Sequence, residues 1–333
     1  MVRSEYFGNI APEDLFRLPE LLARDPFRVA AGAEKRPDRA PGEMAVAEVS
    51  ERFRPDERPE NGTDRGSPQI TAKEAEDVEE MSSPRTPVIY EIVRRHGDEE
   101  MDRPITSLWW SGVAAGLSIS FSLLAQAILH AHLPQASWTP LVSSLGYSVG
   151  FVMVVLSRQQ LFTESTVTAV LPVMADPTPR GLWRLGRLWS VVLAANMAGT
   201  LVAALLCTFA PVLTPDIKAA MLEIAGQITG HSWPEMLFRA IASGFLVATM
   251  VWLLPSAEAA QFHVIVLITY LIAAGGFMHI VAGSTEAFFL VLNGHLDLLP
   301  MVTNFFVPVL IGNVIGGTAL FALIAYAQVM KEI

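Results

Sequence analysis

The chain has 333 residues and a net charge of −10, with 52% hydrophobic and 17% charged side chains. The charge is unevenly placed: residues 1–104 carry 16 of the 23 Lys/Arg and 24 of the 33 Asp/Glu, which leaves 7 basic and 9 acidic side chains for the other 229 residues. That excludes a soluble domain, which needs a charged surface; a lipid-facing surface must lack one, because an ion at the bilayer centre costs several kcal/mol. The acidic excess sits in the tail, and no basic stripe suited to nucleic acid is present.

Residues 1–86 are rich in Pro, Glu, Arg, Asp and Gly and hold too little apolar area to offset ordering entropy, so they read as a disordered, charged tail. Residues 1–28 have no continuous apolar stretch and do not read as a cleavable secretory signal. From Val88 the pattern changes. Val88, Ile89, Ile92 and Val93 recur at helical spacing among Arg94, Arg95, Glu99 and Glu100, which predicts an amphipathic lead-in helix over 87–104, at the membrane surface or solvated.

A six-helix transmembrane domain over 105–330 follows. About 20 apolar residues are needed to cross a bilayer core roughly 30 Å thick. Such spans fall near 107–130, 142–174, 186–211, 235–255, 262–292 and 301–328. The second and fifth are too long and are interrupted, by Arg158 to Thr166 and by Gly275 to Glu286. Polar or irregular backbone at membrane depth is tolerated only inside protein or along a cavity, so both are expected to be broken helices. Arg94, Arg95 and Arg103 before the first span and Arg180, Arg184 and Arg187 between the second and third predict cytoplasmic termini. The single cysteine, Cys207, lies in an apolar run and reads as a packing residue.

The two halves resemble one another. Phe162 to Asn196 and His279 to Asn313 are both 34 positions apart, and each Asn is followed three residues later by Gly199 or Gly316. Ser111-Gly112 and Ser243-Gly244 make a weaker pair. With three spans per half, the repeats must run in opposite directions, which is the inverted 3+3 plan in which broken helices meet near the bilayer midplane with their N-termini inward. That arrangement suits an anion.

On Leu161-Phe162-Thr163, Asn196 with Gly199, Gly276-Phe277-x-His279-x-x-Ala282 and Pro308-x-x-x-Gly312-Asn313-x-x-Gly316-Gly317, residues 107–328 resemble the formate/nitrite transporter family. The resemblance implies an all-α, aquaporin-like fold, a homopentamer with one pore per subunit, an inner-membrane location, no cofactor, and passage of formate, nitrite or similar weak-acid anions past His279. The chain departs from the family pattern at Met278 (usually Glu), Gly283 (usually Asn), Glu164-Ser165 (usually Gly-Asn) and Arg158 (usually small).

His279 is the one histidine deep within a span. Removed from water it stays neutral and takes a proton only beside an anion; the alternative is a core histidine bonded to backbone. Leu161, Phe162 and Phe277 would form apolar constrictions, with Thr163 and Ser284 on the same path. Asn196 and Asn313 would satisfy the broken backbone. Arg158, Glu164 and Glu286 are charges within apolar stretches, and pairing of Arg158 with one of the two acids is favoured over a role on the anion. No phosphate loop, metal-ligand spacing or nucleophile triad is present, so no enzyme is expected. Two other readings stay open: a pore for small neutral solutes, and a membrane sensor or scaffold whose tail binds a partner.

Overall fold

The computed structural model describes residues 84–332, so the charged tail lies outside the described residues apart from its last three. The described chain is helical throughout, with no strand among its residues. The lead-in helix α1 (Thr86–Asp102) begins on Pro87 and turns Tyr90, Val93, Gly97, Glu100 and Met101 inward. Val88 and Ile92, which set the amphipathic pattern in the sequence, are exposed instead. Arg94 bridges Glu91 and Asp98 on the outer face, and its guanidinium holds the Glu91 carboxyl down at about 2.

Six spans follow. Span one is α2 (Ile105–His132), bent at Ser120, whose hydroxyl donates to the Gly116 carbonyl one turn back. Span two is α3 (Thr139–Leu156), a five-residue break, then α4 (Phe162–Thr168) and α5 (Val170–Ala175). Span three is α6 (Pro179–Phe209), N-capped by the Thr178 side chain with Pro179 in the first turn. A helix that hydropathy gave no sign of, α7 (Pro215–Gly226), fills the next connection behind its own cap, Thr214. Span four, α8 (Trp233–Ala257), starts on a Ser232–Glu235 capping box. Glu258, at φ 29°, turns the chain back into α9 (Gln261–Ala274), which with α10 (Ile280–Leu292) makes span five. Span six is α11 (Leu298–Val329), interrupted by π-helical turns at Met301–Phe306 and Ile315–Ala322.

The outer surface is apolar, with Trp110, Trp183, Phe238, Leu267 and Ile324 exposed, as a bilayer requires. Spans one and three cross where a Cβ on Gly116 would meet the Gly199 Cα at 2.8 Å; spans four and six cross where a Cβ on Gly244 would meet the Asn313 Cα at 2.8 Å. Gly116 therefore corresponds to Gly244, and Gly112 to Ala240, so the Ser-Gly match read from the sequence is one turn out of register. The halves are an inverted 3+3 repeat.

Both ends of the described chain lie on one face, where the rings of Tyr90 and Tyr326 approach to 6.1 Å. Helix α1 docks there against span two at Gly97, where any Cβ would overlap the Thr168 carbonyl group. Gly97→Val is therefore expected to cost roughly 1–3 kcal/mol through overpacking, read as a lower melting midpoint in detergent. Gly186→Ala, on the open face of α6, should not lower it.

Candidate functional site

The two breaks are built alike. In span two the N–H groups of Gln159 and Arg158 donate back to the carbonyls of Val154 (3.0 Å) and Val155 (3.1 Å); in span five those of Phe277 and Gly276 donate to Ile272 (2.9 Å) and Ala273 (3.0 Å). This is the Schellman ending, which needs a left-handed residue at its corner. Arg158 supplies it at φ 52° and Gly276 at φ 61°. Arg158 thus stands where the other half has glycine, and Arg158→Gly is expected to stabilise the fold by roughly 0.5–1 kcal/mol, raising the melting midpoint.

After each break the chain runs extended into an N-cap, Leu161 at φ −108°, ψ 126° and His279 at φ −111°, ψ 127°. One asparagine satisfies each junction. Asn196 Oδ1 accepts from Phe162 N–H (2.9 Å) while its Nδ2 donates to the carbonyls of Gln160 (2.9 Å) and Gly112 (2.8 Å). Asn313 Oδ1 accepts from Ile280 N–H (2.8 Å) while its Nδ2 donates to Met278 (2.9 Å) and Ala240 (2.8 Å). Phe162 is therefore equivalent to Ile280, and His279 to Leu161, one residue away from the spacing match seen in the sequence.

His279 closes the site between the halves. Its Nδ1 accepts from Ala282 N–H (3.1 Å), which caps α10 and leaves the ring proton on Nε2, 2.8 Å from Thr163 Oγ1. Nε2–H therefore donates to the Thr163 hydroxyl, whose own proton is left to donate elsewhere. Both residues are buried, and the Phe151 ring stands edge-on to the imidazole at 5.0 Å. The N–H groups of Thr163 and Val281, at equivalent places in the first turns of α4 and α10, have no acceptor among the described residues.

The remaining candidates are less concentrated. Leu161 and Phe162 are buried, Phe162 edge-on to Trp189 at 5.9 Å. Phe277 folds back over Gly275, and Ser284 donates to the Ile280 carbonyl of its own helix (2.6 Å). The pairing expected for Arg158 is not formed. Arg158 is exposed and, among the described residues, makes no ion pair with Glu164 or Glu286; the left-handed corner turns it to the surface. Glu286 lies in the second turn of α10, seven residues after His279, which is the extended N-cap of that helix.

Sequence reasoning passed over three groups that the structure brings to the breaks. Arg239 donates to the Gly276 carbonyl (2.9 Å), a cation at the C-terminal end of α9. Its signal was a guanidinium inside an apolar span. The Ser111 hydroxyl accepts from Gln160 N–H (3.0 Å), and Phe151 walls the imidazole. No group of three His, Cys, Asp or Glu side chains converges for a metal among the described residues.

Comparison with known proteins agrees with this geometry. The sequence profile of the family described as formate/nitrite transporter matches residues 87–327. The inner membrane protein YfdC of Escherichia coli is 43% identical over 260 residues, covering 78% of this chain and 84% of that protein. The formate channel FocA of Haemophilus influenzae is 28% identical over 241 residues, covering 65% and 84%. A solved pentameric formate channel with formate bound superposes with a TM-score of 0.61 at 20% identity, covering 68% of this chain and 98% of that one.

Proposed function

The chain belongs to the formate/nitrite transporter family of multi-pass membrane channels, and from that premise we propose that it passes small monovalent weak-acid anions, such as formate or nitrite, between its two broken helices. The observation that carries this reading is the His279–Thr163 pair. A neutral imidazole fixes the threonine so that its hydroxyl proton is offered to the space between the halves, beside the N-terminal turn of α10, which favours negative charge. Apolar neighbours such as Phe151 strip water from an entering anion, and in that low-dielectric surrounding each donor counts for more than it would in water.

Proton linkage through His279 has a structural cost. Protonating Nδ1 would set two donors, Nδ1–H and Ala282 N–H, against each other, so the imidazolium forms only if the cap of α10 opens. The reading that needs least rearrangement has His279 neutral and positioning, with the anion held by Thr163.

The arginine-bearing face, with Arg94, Arg103, Arg180, Arg184 and Arg187, is assigned to the cytoplasm of an inner membrane by the positive-inside rule. The exposed apolar sides of the spans fit a homopentamer like that of the formate channel with the same fold. Liposomes test the reading: isotope-labelled formate or nitrite added outside should enter protein-bearing vesicles faster than empty ones. Osmotic response to glycerol without any weak-acid response would support a neutral-solute pore, and no flux at all a sensor or scaffold.

A further inference from the structure

The inward face of α1 brings a second acidic site to span two. Glu100 is 5% exposed. Its two carboxylate oxygens each accept one hydrogen bond, from Gln160 Nε2 (3.1 Å) and from Thr168 Oγ1 (2.6 Å), so α1 is tied both to the break and to the end of α4. Glu164 lies on α4 one turn before Thr168, whose hydroxyl also approaches the Glu164 carbonyl (3.3 Å), and the charges of Glu164 and Glu100 repel one another. Glu164 Oε1 is buried with no donor. Gln160, itself 5% exposed and bonded through its amide nitrogen to Glu100, likewise has an Oε1 with no donor.

No cation answers this charge among the described residues. On α1, Arg94 is held by Glu91 and Asp98 and Arg95 by Glu91. On α6, Arg184 goes to Asp98 and Asp102, and Arg187 to the carbonyls of Met101 and Arg103. On α8, Arg239 is taken by Gly276; α11 brings Thr318, which donates to the Thr166 carbonyl (2.6 Å), and Tyr326, whose ring lies against Tyr90. Glu100 is buried and Glu164 is buried at Oε1, and two such carboxylates with no cation to balance them cannot both stay ionised. The orphaned acceptors beside them lack a donor, and one hydrogen on a carboxyl oxygen supplies it while removing half the charge.

We propose that Glu100 and Glu164 form a proton-binding site at the junction of α1 and the break of span two, holding one proton between them at neutral pH and separate from His279. The proton comes from solvent on the α1 face and converts one carboxylate to the acid. On the proposed transport function, the site is a station for a proton one residue along the chain from Thr163.

Infrared spectroscopy of the full chain in detergent tests this without any flux measurement, so its failure is distinct from failure of the transport reading. Wild type at neutral pH should show the carbonyl stretch of a protonated carboxyl, shifted in deuterium oxide. Glu164→Gln should lose the band whereas Glu286→Gln keeps one. A band unchanged in both Glu164→Gln and Glu100→Gln, or none in wild type, overturns the proposal. The same variants exclude a metal ion. If sodium or potassium at constant ionic strength raises the melting midpoint of wild type but not of Glu164→Gln, the orphaned oxygens hold a metal cation and the proton assignment fails; no such dependence is the expected result.

Discussion

Asn313→Leu is expected to abolish assembly of the folded protein, and Asn196→Leu to do the same. Each asparagine holds one N–H and two carbonyls of broken backbone, all buried, and leucine fills the space without meeting any of them. A buried polar group left without its partner costs about 1–3 kcal/mol, so three lost together cost about 3–9 kcal/mol. That is comparable with the whole stability of a typical folded domain, roughly 5–15 kcal/mol. The measurement is recovery of a monodisperse species after detergent extraction, with its melting midpoint. A leucine variant that melted like wild type would mean that water, not asparagine, satisfies the breaks. Asn→Asp is the milder comparison, since it keeps the acceptor for the N–H but loses both donations.

His279→Asn separates architecture from transport. Asparagine is a favoured N-cap, so its side chain can still accept from Ala282 N–H and hold the first turn of α10. It is too short to reach Thr163 as well. The expected outcome is an unchanged melting midpoint with roughly tenfold slower weak-acid flux, the factor that corresponds to the loss of one hydrogen bond worth about 1.4 kcal/mol. Thr163→Val should slow flux to a similar degree, and the double variant should be no slower than the worse single one, because the two residues act as one unit. Additive losses would mean that His279 touches the anion on its own account.

Much of the fold was legible because the bilayer leaves few solutions. The six spans, the two interruptions and the asparagines that service them all follow from the rule that backbone polar groups must be satisfied inside the membrane. The register of the repeat was less legible. His279 and Phe162 drew the eye as side chains, but equivalence is fixed by which N–H each asparagine accepts, and that gives Phe162 with Ile280. Helix α7 was announced only by its Thr214-Pro215 start, a signal that hydropathy does not weigh.

Charge was the poorest guide within the site. Opposite signs suggested that Arg158 would neutralise Glu164 or Glu286, but as the left-handed corner of a Schellman ending it is exposed and pairs with neither. Glu164 found Glu100 instead, a residue hidden in the sequence because Arg94 to Asp102 reads as one solvated charged run, two arginines followed by four acids. What decided the matter was Gly97, which lets α1 approach span two closely enough to bury one face of that run.

The central claim, an anion path between the two broken helices, is tested most directly by uptake of isotope-labelled formate and nitrite into liposomes bearing wild type, Thr163→Val or His279→Asn. The predicted result is uptake by wild type that both variants slow about tenfold while reconstituting equally well. Equal uptake by all three, or none by wild type above that of empty vesicles, would contradict it.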